Sequence, residues 1–373
     1  MAGGEGEARV SGAASGPPSL KQRIAALIAQ DGPMPVSQFM TLALHDPVGG
    51  YYARHARLGA DGDFVTAPGI SQMFGELVGL WCAHGWAEMG GPAPVSLIEL
   101  GPGAGTMMAD IWRAARAAPG FRDAARITLV ETSAPLRTLQ QRALADAPAR
   151  WASALSAAPA GPALIVANEF LDCLPIRQFV RTAGGWRERV VGLRGEALAF
   201  GLAPPQPGVA ALIPAALQDA PEGAVAEAAV GLEPLIAEIA ARLRAHPGRA
   251  LFIDYGAAAP SPGDTLQAVR GHSKVDPLDD PGGADLTAHV DFAAVARHAR
   301  AHGLDVAGPV AQGAWLRALG IDARAQALSA ARPEKAAAIA RQRARLVDDD
   351  AMGVLFQVIC LSTPGLPSPA GFA

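Results

Sequence analysis

Asparagine occurs once in the 373 residues, as Asn168, and lysine three times against 28 arginines. Beside abundant Ala, Gly and Pro, this is the coding bias of a GC-rich genome, so the arginine count carries little functional weight. Cysteine is sparse and odd in number: Cys82, Cys173 and Cys360 lie far apart with no CxxC. That excludes a disulfide frame and a zinc site and suggests a reducing compartment. No apolar run approaches the ~20 residues of a membrane span. A net charge of −4 and a pI near 6.1 leave no basic footprint for nucleic acid. The first 18 residues lack the basic and apolar regions of a signal peptide and carry Glu5 and Glu7, which a transit peptide would avoid. They are expected to form a disordered tail.

Half of the residues are apolar, enough for a sizeable core. Ser19–Gln30 reads as a helix opened by a Ser19/Gln22 capping box, with Ile24, Leu27 and Ile28 on its apolar face. A second helix follows Pro35. The stretch His45–Ser71 is too polar and glycine-rich for regular structure. Gln72–Met89 returns to helix, and its Gly75 and Gly79 point to close helix packing. Strands are expected at Val95–Leu100, Ile127–Glu131, Ala163–Ala167 and Ala250–Asp254, and helices at Ala104–Ala117, Ala134–Ala145 and Leu232–Ala245. This alternation predicts an α/β fold with a mostly parallel, doubly wound sheet and helices on both faces. Between Ile176 and Phe200 the rhythm changes to short antiparallel strands turning at Gly184-Gly185 and Gly195. Residues 257–290 are loop-rich, and Val354–Leu361 is a candidate antiparallel closing strand. The expected organisation is a tail at 1–18, a helical and loop extension at 19–92, and a main domain at 93–373 with an insertion at about 176–230.

The most informative segment is Ser96–Thr106, an apolar strand breaking into Gly101, Gly103 and Gly105 before a helical pattern. Glycines there let backbone approach a nucleotide-like ligand closely. The dinucleotide pattern G-x-G-x-x-G would place glycine at position 106, where Thr106 stands. A nicotinamide cofactor and S-adenosylmethionine are both conceivable. The missing third glycine favours the latter, which has no pyrophosphate to seat on a helix N-terminus. Other strand ends are polar: Glu131, whose carboxylate offers two acceptors to ribose hydroxyls, then Asn168-Glu169 with Asp172, then Asp254. Ligands sit at the carboxyl ends of strands in such sheets.

Several longer segments carry a resemblance: Gly50-Tyr51-Tyr52, Gly62–Pro68, Phe74-Gly75-Glu76, Glu99–Thr106, Leu129–Ser133, Ala167–Pro175, Asp254-Tyr255-Gly256 and Asp285–Phe292. In these, spread over roughly residues 20–360, the chain resembles the MidA-type family of class I methyltransferases. That family comprises the mitochondrial complex I assembly-factor arginine methyltransferases and their bacterial relatives. The resemblance implies a Rossmann-like S-adenosylmethionine fold and methylation of a protein arginine linked to assembly of respiratory complex I. It assigns Gly101, Gly103, Gly105, Glu131 and Asn168 to the cofactor, with Thr66 and Pro68 on a loop that covers it. The family's usual Glu after Thr-Ala-Pro is replaced by Gly69, and Trp151-Ala152-Ser153 lacks the family's usual acid. An acidic role at Gly69 is thereby left open, and adenine contacts from the second segment fall to backbone or hydroxyl groups.

The guanidinium is a poor nucleophile, and paired carboxylates align it and localise its charge. Glu169 is expected to clamp it, and Asp172 either supports that clamp or caps a turn. Asp285, Thr287, His289 and Asp291, spaced by two, are expected on one face of an extended segment. They serve as a substrate rim with His289 as a proton acceptor; no metal is expected there. Tyr51 and Tyr52 read either as core or as channel lining. The expected partner is a protein substrate, a complex I subunit on the resemblance, in a bacterial cytoplasm or, for a eukaryotic chain, the mitochondrial matrix. A small-molecule acceptor and a non-catalytic assembly chaperone are the competing readings.

Overall fold

A computed structural model describes residues 17–54 and 66–372. The expected tail (but for its last two residues) and the stretch 62–65 of the Gly62–Pro68 segment lie outside them. Among the described residues the central sheet has eight strands, seven of them on its main path: β1 (Val95–Leu100), β2 (Ala125–Val130), β3 (Ala149–Ala152), β4 (Ala163–Asn168), β5 (Gly248–Ala257), β6 (Asp305–Ala311) and β7 (Phe356–Ser362), with Val290-Asp291 paired parallel to the end of β5. Their order is β3-β2-β1-β4-β5-β7-β6. β7 is antiparallel to both of its neighbours, while the strands from β3 to β5 run parallel. The expected closing strand therefore lies not at the edge but between β5 and β6.

All six residues of β1 are buried, as a strand covered on both faces requires. Alternation assigns its side chains to opposite cores. Val95 and Leu97 join Leu164, Val166, Leu251 and Ile253 on one face. Ile98 and Leu100 join Ala163, Ile165, Ala250 and Phe252 on the other. Helices Gln72–Glu88 and Thr106–Ala114 pack on the first face, and Leu232–Ala245 and Phe292–Ala301 on the second. The two glycines of Gln72–Glu88 mark a close helix crossing. A Cβ on Gly75 would lie 2.5 Å from Asp110 Cβ, and one on Gly79 2.9 Å from Ile111 Cα.

A third core joins segments remote in sequence. Ile24, Phe39 and Leu44 from the N-terminal helices meet Ile176, Val191 and Leu286. The insertion is an antiparallel sheet of Ile176–Thr182, Gly185–Arg194, Ala197–Leu202 and Val225–Ala229, and Met34-Pro35 pairs onto Val191 and Val190 at its edge. The expected turns at Gly185 and Gly195 are present, with φ 109° and 63°. The Ser19/Gln22 capping box forms as expected. Within His45–Ser71, predicted to lack regular structure, Tyr51–Arg54 and Ala67–Ile70 are one-turn helices. Short helices tolerate such sequences because tertiary contacts, not propensity, hold them. Residues 257–290 likewise contain a small sheet of Gln267–Arg270, Ser273–Val275 and Asp285–Thr287.

Candidate active site

β1 delivers the chain into the glycine turn at the carboxyl end of the sheet. Gly101, Gly103 and Gly105 have φ of 61°, 52° and 81°, values that disfavour any residue with a Cβ. A Cβ on Gly101 would also sit 2.7 Å from the ring of Phe170. Glu99, just before the turn, is buried, and burial pushes its carboxyl up to about 8. Its Oε2 takes no protein hydrogen bond.

Glu131 follows β2 and is buried, with its pKa raised by burial. Oε1 accepts the Ser133 N–H at 2.7 Å, and Oε2 accepts from Gln140 Nε2 at 3.1 Å. Gln140 is fully buried; the same amide nitrogen donates to Gly103 O at 2.8 Å, and its Oε1 accepts from Trp151 Nε1 at 2.8 Å. One side chain thus ties the glycine turn, the acid and β3 together. Sequence reasoning missed it, although Gln140 is a polar residue on the inward face of the helical pattern 134–145, which is the signal that could have found it. Ser133 Oγ donates to Tyr52 O at 2.9 Å and so fastens the N-terminal segment over this end of the sheet.

β4 ends at Asn168. Its Nδ2 donates to Glu169 Oε1 at 2.9 Å, and its Oδ1 is buried without a partner. Glu169 Oε1 also accepts the backbone N–H of Ala67 at 3.1 Å, which draws the Thr66–Ile70 segment onto the site. Burial, reinforced by Asp172, pushes the Glu169 carboxyl up to about 7. Asp172 is buried, and its carboxyl is raised by burial. Next to it, Cys173 Sγ lies 2.8 Å from the Tyr52 hydroxyl, and burial pushes that thiol well above its ordinary value.

These groups surround one cavity of about 460 Å³, within the range of small-molecule sites. Gly101, Gly103, Glu131, Asn168, Thr66, Pro68, Glu169 and Asp172 all line it, with Gly69, Ser153, Tyr52, Asp285 and Thr287. Gly105 stands behind, packed on Gln140. Tyr51 is core, whereas Tyr52 is on the cavity wall. His289 is not brought there. The strand that carries Asp285 and Thr287 ends at Thr287, where Ala288 N–H bonds to Asp172 O at 2.9 Å. The period of two is broken, and His289 and Asp291 face a second cleft instead. The His289 ring stands edge-on to Tyr255, and Asp291 caps the helix Phe292–Ala301.

Five carboxyl groups, Glu99, Glu131, Glu169, Asp172 and Asp285, line the cavity, and among the described residues no lysine or arginine does. Two buried acceptors, Glu99 Oε2 and Asn168 Oδ1, have no protein donor. Leaving such atoms unmet is costly, and both residues line the cavity that a donor group of a ligand would occupy. The residues present therefore fit S-adenosylmethionine: acceptors for its amino group, a glycine cradle for its methionine part, a carboxyl group for its ribose, and walls of carboxyl groups without lysine or arginine for its sulfonium.

The comparisons with known proteins agree. Residues 77–310 match the family model of S-adenosyl-L-methionine-dependent methyltransferases. The mitochondrial protein arginine methyltransferase NDUFAF7 of Danio rerio is 34% identical over 91% of this chain and 86% of its own length. The Drosophila melanogaster homologue is 34% identical over 94% and 86%. A crystal structure of a methyltransferase superfamily member from Burkholderia thailandensis, bound to S-adenosyl-homocysteine, matches with a TM-score of 0.82 and 29% identity over 94% of this chain and 93% of that one. With a glycine turn, a strand-end carboxyl group and a cavity at the carboxyl end of its sheet, the chain belongs to the S-adenosyl-L-methionine-dependent methyltransferase family.

Proposed function

We propose that this enzyme methylates an arginine guanidinium of a protein substrate, a subunit of respiratory complex I on the family resemblance. The observation that carries the reading is the cavity wall: five carboxyl groups and, among the described residues, no lysine or arginine, while burial holds the imidazole of His45 below its ordinary value. A cofactor that is itself cationic needs only part of that charge, and the remainder suits a second cation. The names of the relatives support the same acceptor.

S-adenosylmethionine, when bound, supplies a methyl electrophile on its sulfonium and departs as the thioether. The chain's own residues do the rest by placement. Gly101, Gly103, Glu99 and Asn168 hold the methionine part, and Glu131 the ribose. Glu169, whose Oε1 is fastened by Asn168 and Ala67, grips the guanidinium through its other oxygen. That grip aligns one nitrogen and concentrates positive charge on the others. With the methyl group that the cofactor would supply as its S–CH3 bond breaks, the guanidinium nitrogen would have one proton to shed, and the Glu169 carboxylate, its pKa of about 7 suited to that task, would take it. Asp172 and Asp285 extend the negative wall behind it.

Incubation with methyl-labelled S-adenosylmethionine and a cell lysate, followed by mass spectrometry, tests the reading. Label on protein arginine is the expected result. Label on a metabolite shows a small-molecule acceptor instead, and partner capture without transfer shows an assembly chaperone; either outcome overturns it.

A further inference from the structure

The turn that carries Glu169 and Asp172 is held from β5. Asp254 is 1% exposed. Its Oδ2 accepts backbone N–H bonds from Phe170 at 3.0 Å, Leu171 at 2.9 Å and Asp172 at 3.2 Å. Its Oδ1 accepts the N–H of Tyr255 at 2.9 Å. One residue earlier, Ile253 O accepts the N–H of Glu169 at 2.9 Å. The consecutive N–H groups of residues 169–172 are therefore all anchored on two adjacent residues of one strand. Glu169 itself is left-handed, with φ 50°, a conformation side-chain-bearing residues seldom adopt. That conformation turns the following N–H groups to one side, the concavity that elsewhere binds a free anion.

The geometry points to Asp254 as a positioning residue: its carboxyl group is an acceptor built into the chain that folds residues 169–172 into a nest and so aims Glu169 at the acceptor substrate. Asp254 does not line the cavity, so it acts only through that loop. Both of its oxygens face backbone N–H groups. Burial, reinforced by Asp172 and Glu169, pushes the carboxyl well above its ordinary value, and the N–H donors offset only part of that. Asparagine is no substitute, because its amide NH2 would face N–H groups.

The experiment compares wild type with Asp254→Asn in affinity for S-adenosyl-homocysteine, acceptor methylation and amide hydrogen exchange. For the methylation arm this rests on the arginine reading above; the exchange arm does not. Cofactor affinity is expected to stay within about threefold, because β1 and β2 carry most of that site. Methyl transfer should fall by roughly 100-fold, as expected for a displaced reacting group, with the acceptor KM raised as well as kcat lowered. Exchange at residues 169–172 should quicken at least ~10-fold while β1 and β4 keep their protection. Unchanged exchange at 169–172, or lost protection throughout the fold together with lost cofactor affinity, overturns the assignment. Where the variant does not fold, the wild type decides. Amides of Phe170, Leu171 and Asp172 exchanging as slowly as those of β5 support the anchor, and exchange at the rate of an exposed loop refutes it. A wild type that methylates no arginine but shows this protection removes the arginine reading and leaves the role of Asp254 standing.

Discussion

The side-chain amide of Gln140 donates to the Glu131 carboxylate at 3.1 Å and through the same nitrogen to Gly103 O. Helix, acid and glycine turn are thereby one unit. Gln140→Leu would strand the Trp151 N–H, one Glu131 oxygen and Gly103 O. Each such buried loss costs about 1–3 kcal/mol. The expected outcome in calorimetry is a lower unfolding temperature together with at least ~10-fold weaker cofactor binding, the latter corresponding to about 1.4 kcal/mol. Unaltered cofactor affinity would show that the turn holds its shape without this tie.

Glu169 sets an acid limit on activity. Its carboxyl is neutral below about 7 and charged above. Guanidinium binding and proton acceptance both need the charged form. The expected kcat/KM falls about tenfold per pH unit below that value and levels off above it. Glu169→Gln should abolish transfer while leaving cofactor affinity in place. The linkage sign follows from a raised folded-state value. The neutral form is stable below the ordinary value of 4.5, and stability is lost as pH rises through about 7. Glu169→Gln is therefore expected to melt higher than wild type at alkaline pH and equally in acid, measured by differential scanning calorimetry.

Cofactor binding should release a proton. The Glu99 carboxyl, raised to about 8 by burial, is largely neutral at neutral pH. A cation placed against its unpartnered oxygen favours the charged form. Affinity is expected to climb about tenfold per unit as pH rises toward that value. Titration calorimetry in two buffers of different ionisation enthalpy should register close to one proton leaving per site. Glu99→Gln should release none, and a wild type that also releases none refutes the assignment.

Gly75→Ala is predicted to destabilise the protein. Alanine in an open helix would gain about 1 kcal/mol over glycine. Here the new Cβ would lie 2.5 Å from Asp110 Cβ and 3.2 Å from Met107 O. Overpacking of that kind costs about 1–3 kcal/mol, so the net sign in urea denaturation is loss.

Much of the sheet was legible because its strands are apolar runs ended by glycine or acids. β1, β4 and the helix Leu232–Ala245 lie where periodicity puts them, and Gly101, Gly103 and Glu131, picked out by type and position, line one cavity. What periodicity could not supply is pairing between distant segments. Met34-Pro35 joins the sheet of the insertion, and β7 slides between β5 and β6. The Asp285–Asp291 segment shows the same limit at the site. A spacing of two puts side chains on one face only while the strand lasts, and the bond from Ala288 to Asp172 ends it, sending Asp285 and His289 to different cavities.

By itself the sequence determined four parallel strands of the sheet, the helices between them, the glycine turn and which residues bear charge, because these follow from local periodicity and residue chemistry. Only the tertiary structure decided that Gln140 and Asp254 brace the two halves of the site, that Glu169 holds the Thr66–Ile70 segment, and that His289 stands apart. Hydrogen bonds across gaps of 37, 84 and 102 residues leave no mark on local pattern. They exist because folding into a parallel sheet brings every strand end to one edge.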